Sequence, residues 1–330
     1  MFNYSEAFRI NSGVLNPGEQ EKLKNARVLI VGTGGAGGTI AIMLARSGFE
    51  HFTLVDFDTY SLSNINRQIG CFTDTLEKYK VDVVKDEILR INPRAVVMAI
   101  PRRLELAELD TMLNGCDVYF SEADDLAYST HSLIMAQKKQ KLAISFMPSG
   151  LTGFVMVFPP GLKKIYDPTD MFGGPKGLSY QGLKEFQADP TCRSGRRWHI
   201  SQGKMRIEWY RRWCHTKTPL TQLCPAVWAG ASLAAIEAIK QLTGKWQGVK
   251  APLMWQMELG ESRIRAVKFR RRSWLFSKYI YEAMRIKPFG IGKSLKKMTA
   301  KSLEKDLERM EKEEAEGKCP RLPFIWKHII

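Results

Sequence analysis

The chain has 330 residues, 44% apolar and 25% charged, which excludes a wholly disordered protein and leaves room for one large domain with additions. Its apolar runs, such as Val28–Val31 and Phe154–Pro160, are far shorter than the roughly 20 residues a membrane-spanning helix needs. Fifty basic residues against 34 acidic ones give a net charge of +16, which favours anionic partners.

In chain order, Arg27–Val31 is expected as a short strand, followed by the glycine-rich turn Val31–Gly38 and an apolar helix from Thr39 to Ser47. His51–Val55 is a second strand, ending in Asp56-Phe57-Asp58. A charged helix, Lys78 to Ile91, leads into a strand over Ala95–Ile100. Asp117–Ser121 and Leu142–Phe146 are further strands, with a helix over Ser129–Lys139 between them. Strand, crossover helix and strand in repetition predict a doubly wound, Rossmann-like α/β fold with a mostly parallel sheet. The stretch from Gly161 to Thr221 has little periodicity and much Gly, Pro and Arg, as expected of an irregular crossing loop. Its Trp198, Trp209, Tyr210 and Trp213 are candidate anchors for a partner. Ala229–Leu242 is an alanine-rich helix that stops at Thr243-Gly244. Residues 250–330 carry 20 Lys and Arg against 10 Asp and Glu, and Met298 to Gly317 reads as a helix. The expected units are a core α/β domain over 1–160 and 222–260, a crossing-loop insertion over 161–221, and a basic, helical C-terminal extension over 261–330.

The glycine turn sits between a strand and a helix. Glycines let backbone approach phosphates, and a helix N-terminus offers free N–H groups and partial positive charge. By itself this spacing fits nicotinamide, flavin and ATP binders equally. The residues beyond the second strand discriminate. Ser61-Leu62-Ser63-Asn64-Ile65-Asn66-Arg67-Gln68 and then Lys80 place amides and cations after the ribose-type acid. That suits a triphosphate and the charge developing at its α-phosphate, and has no use in hydride transfer. Asp124-Asp125 follows the Asp117–Ser121 strand, where a carboxylate can hold Mg²⁺ between phosphates.

On Gly32–Gly37, Asp56-x-Asp58, Ser63-Asn64-x-x-Arg67-Gln68, Lys80 and Asp124-Asp125, the chain resembles the superfamily of ThiF, MoeB and HesA. These are adenylyltransferases related to ubiquitin-activating enzymes. Pro225–Gly244 resembles the family's terminal core helix. The resemblance implies activation of a carboxylate by ATP and Mg²⁺ as an acyl-adenylate, with release of pyrophosphate. It implies that Gly32, Gly34, Gly35 and Gly37 contact the nucleotide phosphates. Asp56 would take the ribose, with Asp58, Ser63, Asn66 and Asp125 also lining the nucleotide site. Asn64, Arg67 and Lys80 would steady the triphosphate and transition state, Asp124 would hold Mg²⁺, and Arg9 would serve a partner's site across a homodimer.

Two features depart from that pattern. Many members bind structural Zn²⁺ through two Cys-x-x-Cys pairs, which this sequence lacks. Cys192, Cys214, His215 and Cys224 do not replace that spacing, so zinc is not expected. Members that transfer the acyl group through a thioester use a cysteine in the crossing loop. Cys214, beside Arg211, Arg212 and His215, is the candidate nucleophile, with direct attack on the adenylate as the expected route. The carboxylate belongs to a small ubiquitin-like or sulfur-carrier protein or to a ribosomally made peptide. The alternative within the superfamily is a tRNA-modifying dehydratase, whose RNA the basic tail would track. Rivals of another class are a nicotinamide or flavin oxidoreductase and a catalytically silent partner-binding scaffold. The six irregularly spaced cysteines make no disulfide framework. With an N-terminus lacking an apolar signal segment, they predict a cytoplasmic protein.

Overall fold

The computed structural model describes residues 2–169, 177–188, 206, 208–209, 221–268, 301, 304–305 and 308–316. Eight strands form one sheet in the order β3-β2-β1-β4-β5-β6-β7-β8. The parallel part is β1 (Arg27–Val31), β2 (His51–Val55), β3 (Val96–Ile100), β4 (Val118–Ser121) and β5 (Leu142–Ser149). To it are added, all antiparallel, β6 (Thr152–Phe158), β7 (Leu253–Glu258) and β8 (Arg263–Lys268). The doubly wound, mostly parallel sheet is therefore present, with an antiparallel wing that the periodicity does not reveal.

Strands covered on both faces read as unbroken apolar runs, and here the alternation is visible in the packing. Val28 and Ile30 join one core with Leu142, Ile144 and Phe146. Leu29 and Val31 join the other with Tyr119, Ala143 and Phe154. The first core is capped by α2 (Pro17–Asn25), α3 (Gly35–Arg46), α4 (Lys80–Ile91) and α8 (Cys224–Thr243). The second is capped by α5 (Leu106–Asn114) and α6 (Leu126–Lys138). A short helix, α1 (Tyr4–Ala7), precedes these, and α7 (Tyr180–Ala188) packs on α6.

Helix α8 lies close on the sheet because Gly230 has no side chain. A Cβ there would stand 2.1 Å from the Phe146 ring. The helix stops at Gly244, whose φ of 70° suits glycine. Strands β7 and β8 carry the sheet past residue 260 to Lys268, into the segment assigned from sequence to the basic extension. Within that extension, residues 308–315 are helical and Met310 is buried. Among the described residues, no helix is long and apolar enough to cross a membrane.

Candidate functional site

The strand order reverses between β1 and β4, so the crevice opens beyond the carboxyl ends of β1, β2 and β4, where α/β sheets take their ligands. The glycines of the β1–α3 turn have different jobs there. Gly32 has φ +93°, and a Cβ on it would lie 2.5 Å from the Glu122 carbonyl oxygen. A Cβ on Gly37 would lie 1.8 Å from the Gly32 oxygen, so this glycine lets α3 pack on its own turn. Gly34 is different: the nearest atom to its Cβ position is the Gln68 side chain at 3.7 Å. Gly34 is also the N-cap of α3 and supplies no side-chain hydrogen bond, so the first-turn N–H groups face the crevice without a side-chain cap. Such a turn is a cradle for phosphate.

Asp56, at the end of β2, braces this cradle. Its Oδ2 accepts from the Thr33 backbone N–H at 2.7 Å, and its Oδ1 accepts from the Asp58 N–H at 3.0 Å. Asp58 in turn holds the Lys80 ammonium at 2.8 Å, and the lysine side chain is 7% exposed. Lys80 is the first residue of α4, so its position follows from where the helix starts. Ser63 and Asn64 lie in a three-residue 3-10 turn over Leu62–Asn64. The Asn64 carboxamide oxygen accepts from the Ser61 N–H at 3.2 Å, which gives Asn64 a capping job within the loop. Arg67 donates through Nη1 to the Asn66 Oδ1 at 2.8 Å and to the Ser63 carbonyl at 3.2 Å. The Arg67 Nε and the Gln68 Oε1 are buried with no partner, and both side chains border the glycine turn. A buried donor left unpaired beside a helix N-terminus is what an absent phosphate oxygen would satisfy.

Asp124 follows β4 and keeps one side open to solvent. Its carboxyl is pushed up, first by burial, then by the negative charges of Asp56 and Asp58, while Lys80 and Arg67 pull it down. All five groups therefore converge on one crevice. No described residue hydrogen-bonds the Asp124 carboxylate, so it can ligate a divalent cation. Mg²⁺ takes one or two carboxylates together with substrate phosphate oxygens, which fits this donor set.

Asp125 is placed elsewhere. It N-caps α6, accepting from Ala127 and Tyr128 N–H at 3.0 and 3.1 Å, and pairs with Arg103 at 2.8 Å. Burial raises its carboxyl, but the Arg103 and backbone hydrogen bonds outweigh that and hold it low. Arg9 is not in the crevice either. It follows α1, is 69% exposed and pairs with Glu6. Its neighbour Asn11 bonds the Ser47 carbonyl just past the far end of α3. The 12 residues of α3 put that end about 18 Å from the glycine turn.

The candidate nucleophile Cys214 lies outside the described residues, as do Cys192 and His215. Among the described residues, no group of three or more His, Cys, Asp or Glu side chains is arranged to hold a metal. Burial pushes the Cys71 thiol up, opposed by Lys80 and Arg67, and pushes that of Cys116 up to about 11. Neither is an activated thiolate.

Gln68 belongs to the motif already singled out in the sequence, whereas Glu122 and Trp228 carry no sequence signal of a role at the site. Glu122 accepts from the Phe146 N–H at 2.9 Å, and its other oxygen is buried without a partner. Burial, with a further push from Asp124, raises this carboxyl well above the usual range against the Phe146 hydrogen bond. No local pattern marks it, because its burial comes from β5. Trp228 donates its indole N–H to the Arg67 carbonyl at 3.0 Å across 161 residues of chain.

The sequence matches the ThiF family over residues 8–274. The chain belongs to the ThiF family. Among its relatives, the molybdopterin-synthase adenylyltransferase of Escherichia coli is 40% identical over 108 residues, which is 33% of this chain and 43% of that protein. The tRNA threonylcarbamoyladenosine dehydratase of Haemophilus influenzae is 30% identical over 142 residues, 43% of this chain and 54% of that one. The sulfur carrier protein ThiS adenylyltransferase of Escherichia coli is 30% identical over 141 residues, 43% of this chain and 56% of that protein. This ThiF-family chain thus spans about half the length of the curated relatives it matches. The structure of Escherichia coli MccB with ATP superposes with a TM-score of 0.58 at 22% identity, over 81% of this chain and 71% of that one. PaaA superposes with a TM-score of 0.58 at 21% identity, over 80% of this chain and 73% of that one. At such identity these two structures establish the shared fold.

Proposed function

We propose that this ThiF-family chain is an ATP- and Mg²⁺-dependent adenylyltransferase that activates a carboxylate of a protein or peptide. The observation that carries the reading is the convergence of an uncapped α3 N-terminus, Arg67 with a buried unpaired Nε, Lys80 and an unbonded Asp124 on one crevice. The two reactants are both anionic, so the site must supply positive charge and orientation. A carboxylate oxygen attacks the α-phosphorus of ATP, the bond to the β-phosphate breaks, and pyrophosphate leaves. No proton has to move in that step. The open backbone at Gly34 and the uncapped first-turn N–H groups of α3 receive phosphate oxygens. Arg67 offers its free Nε–H, and Lys80, aimed by Asp58, offers a second cation. Asp124 would hold Mg²⁺, which supplies charge neutralisation across the phosphates. Asp56 stiffens the glycine turn while keeping lone pairs for ribose hydroxyls.

The carboxylate's owner is a ubiquitin-like or sulfur-carrier protein, or a peptide. One relative is named as the adenylyltransferase of a sulfur carrier protein and another as that of molybdopterin synthase, both proteins. Arg9, exposed beyond the far end of α3 in an ion pair with Glu6, lies outside this chain's own crevice, as an arginine donated to another copy's crevice in a homodimer would. Hydroxylamine trapping tests the reading. With Mg²⁺-ATP and the cognate carboxylate, the chain should yield the substrate hydroxamate and AMP. ATP binding with neither product from carrier proteins or peptides, but turnover with tRNA, would move the assignment to the dehydratase branch.

A further inference from the structure

Arg67 projects from a loop that contains the three-residue turn at Leu62–Asn64 and is closed at its base by an antiparallel bridge between Thr59 and Tyr79. Its own backbone N–H bonds back to the Asn64 carbonyl at 3.1 Å, within the same loop. The loop packs on α4 through Tyr60, Cys71 and Val83 and on the first core through Ile69, while the stretch Asn66–Arg67 is tied to the segment entering α8. The Trp228 indole donates to the Arg67 carbonyl at 3.0 Å, and the Asn66 Nδ2 donates to the Gln222 carbonyl at 3.2 Å. The same Asn66 carboxamide accepts from the Arg67 guanidinium at 2.8 Å, so one side chain bonds both the arginine and the segment before α8. Val227 closes against Gly35, where a Cβ would meet both Val227 and Arg67. The segment is itself anchored, since Gly150 of the β5–β6 turn donates to the Thr221 carbonyl at 2.8 Å.

We infer that Trp228 and Asn66 are positioning residues for Arg67. They make the placing of this cation depend on residues 221–228, into which the 161–221 stretch runs. The inference rests on the adenylation reading for what Arg67 does. A residue of helix α8 thereby fixes a residue of the loop, where a misplacement of about 1 Å is enough to weaken a charge-assisted contact severely. A partner that shifts residues 221–223 would move Arg67 with them, which links partner engagement to nucleotide activation.

Calorimetric titration of the full chain with Mg²⁺-ATP and, separately, with adenosine tests this. Trp228→Phe keeps an aromatic ring and removes the N–H donor. It is expected to weaken Mg²⁺-ATP binding about 3- to 10-fold, the scale of one lost hydrogen bond, and to leave adenosine binding unchanged. In an Arg67→Ala background the same substitution should add nothing, because the effect runs through the arginine. Equal loss for ATP and adenosine, or an undiminished effect without Arg67, would make Trp228 a wall of the pocket and overturn the inference. Wild-type affinity in a folded Trp228→Phe would overturn it as well. If that variant does not fold, as read by thermal melting, Asn66→Ala provides the same comparison. A wild-type chain that binds no Mg²⁺-ATP would instead bring down the adenylation reading and the inference with it.

Discussion

Asp124 and Asp125 are neighbours in sequence, and the end of β4 sends them to opposite tasks. One stays unbonded among Lys80, Arg67, Asp56 and Asp58, while the other caps α6 and pairs with Arg103. Asp124→Ala is therefore expected to abolish Mg²⁺-dependent pyrophosphate exchange with no loss of thermal stability. Undiminished exchange would remove Asp124 from the site. The glycines divide in the same way. Gly37→Ala forces a methyl into the Gly32 carbonyl and should destabilise the fold by about 1–3 kcal/mol in urea unfolding, the usual range for overpacking. Gly34→Ala meets no backbone and should keep the fold while weakening Mg²⁺-ATP binding. Gly34, Gly37, Asp56, Lys80 and Asp124 were legible as candidates because each sits at a strand end or in the first turn of a helix, and Arg67 was legible through the amide-rich run Ser61–Gln68 around it. Glu122 and Trp228 were not. Their roles arise from contacts with Phe146 and Arg67, which no local spacing encodes.

At the scale of elements, α6 shows how a helix start holds the site still. The Asp125 cap satisfies two orphan N–H groups, and Arg103 links it to the Tyr180 hydroxyl at the start of α7, at 2.9 Å. The Asp125 carboxyl is held low in the folded state. Its contribution to stability is therefore fully present above the unfolded value of about 4 and is lost as pH falls through the lower folded value. Asp125→Asn should melt below wild type at neutral pH, and the gap should close as the pH is taken below about 4. A gap that stays constant across that range would show that the carboxylate charge is not what stabilises α6. The elements also show why five of the sheet's eight strands were readable. Strands β1 to β5 are short apolar runs set between Gly, Asp and Pro. The wing was hidden for two reasons. Phe154–Pro160 is an unbroken apolar run, which by periodicity alone is indistinguishable from a buried helix segment. In β7 and β8, Glu258, Arg263 and Arg265 read as surface charge, yet Glu258 pairs with the two arginines at 2.6 and 3.5 Å on the sheet.

The whole molecule joins a two-sided ThiF-family sheet to segments that lie outside the crevice. Arg9 lies at the opposite end of α3 from the phosphate cradle, and residues 221–228 are tied to the Arg67 loop. The +10 carried by residues 250–330 falls only partly within the described structure, where β8 contributes Arg263, Arg265 and Lys268. Charge thus biases the partner list, whereas the crevice defines the chemistry. The most direct test of that chemistry is ATP–pyrophosphate exchange with the purified chain and Mg²⁺, supplied in turn with a ubiquitin-like protein, candidate peptides and bulk tRNA. Exchange that depends on a protein or peptide carboxylate, and disappears when Mg²⁺ is withheld, is the predicted result. Absence of exchange with every class, together with no detectable ATP binding, would contradict the account and leave a ThiF-family scaffold that holds a partner without activating it.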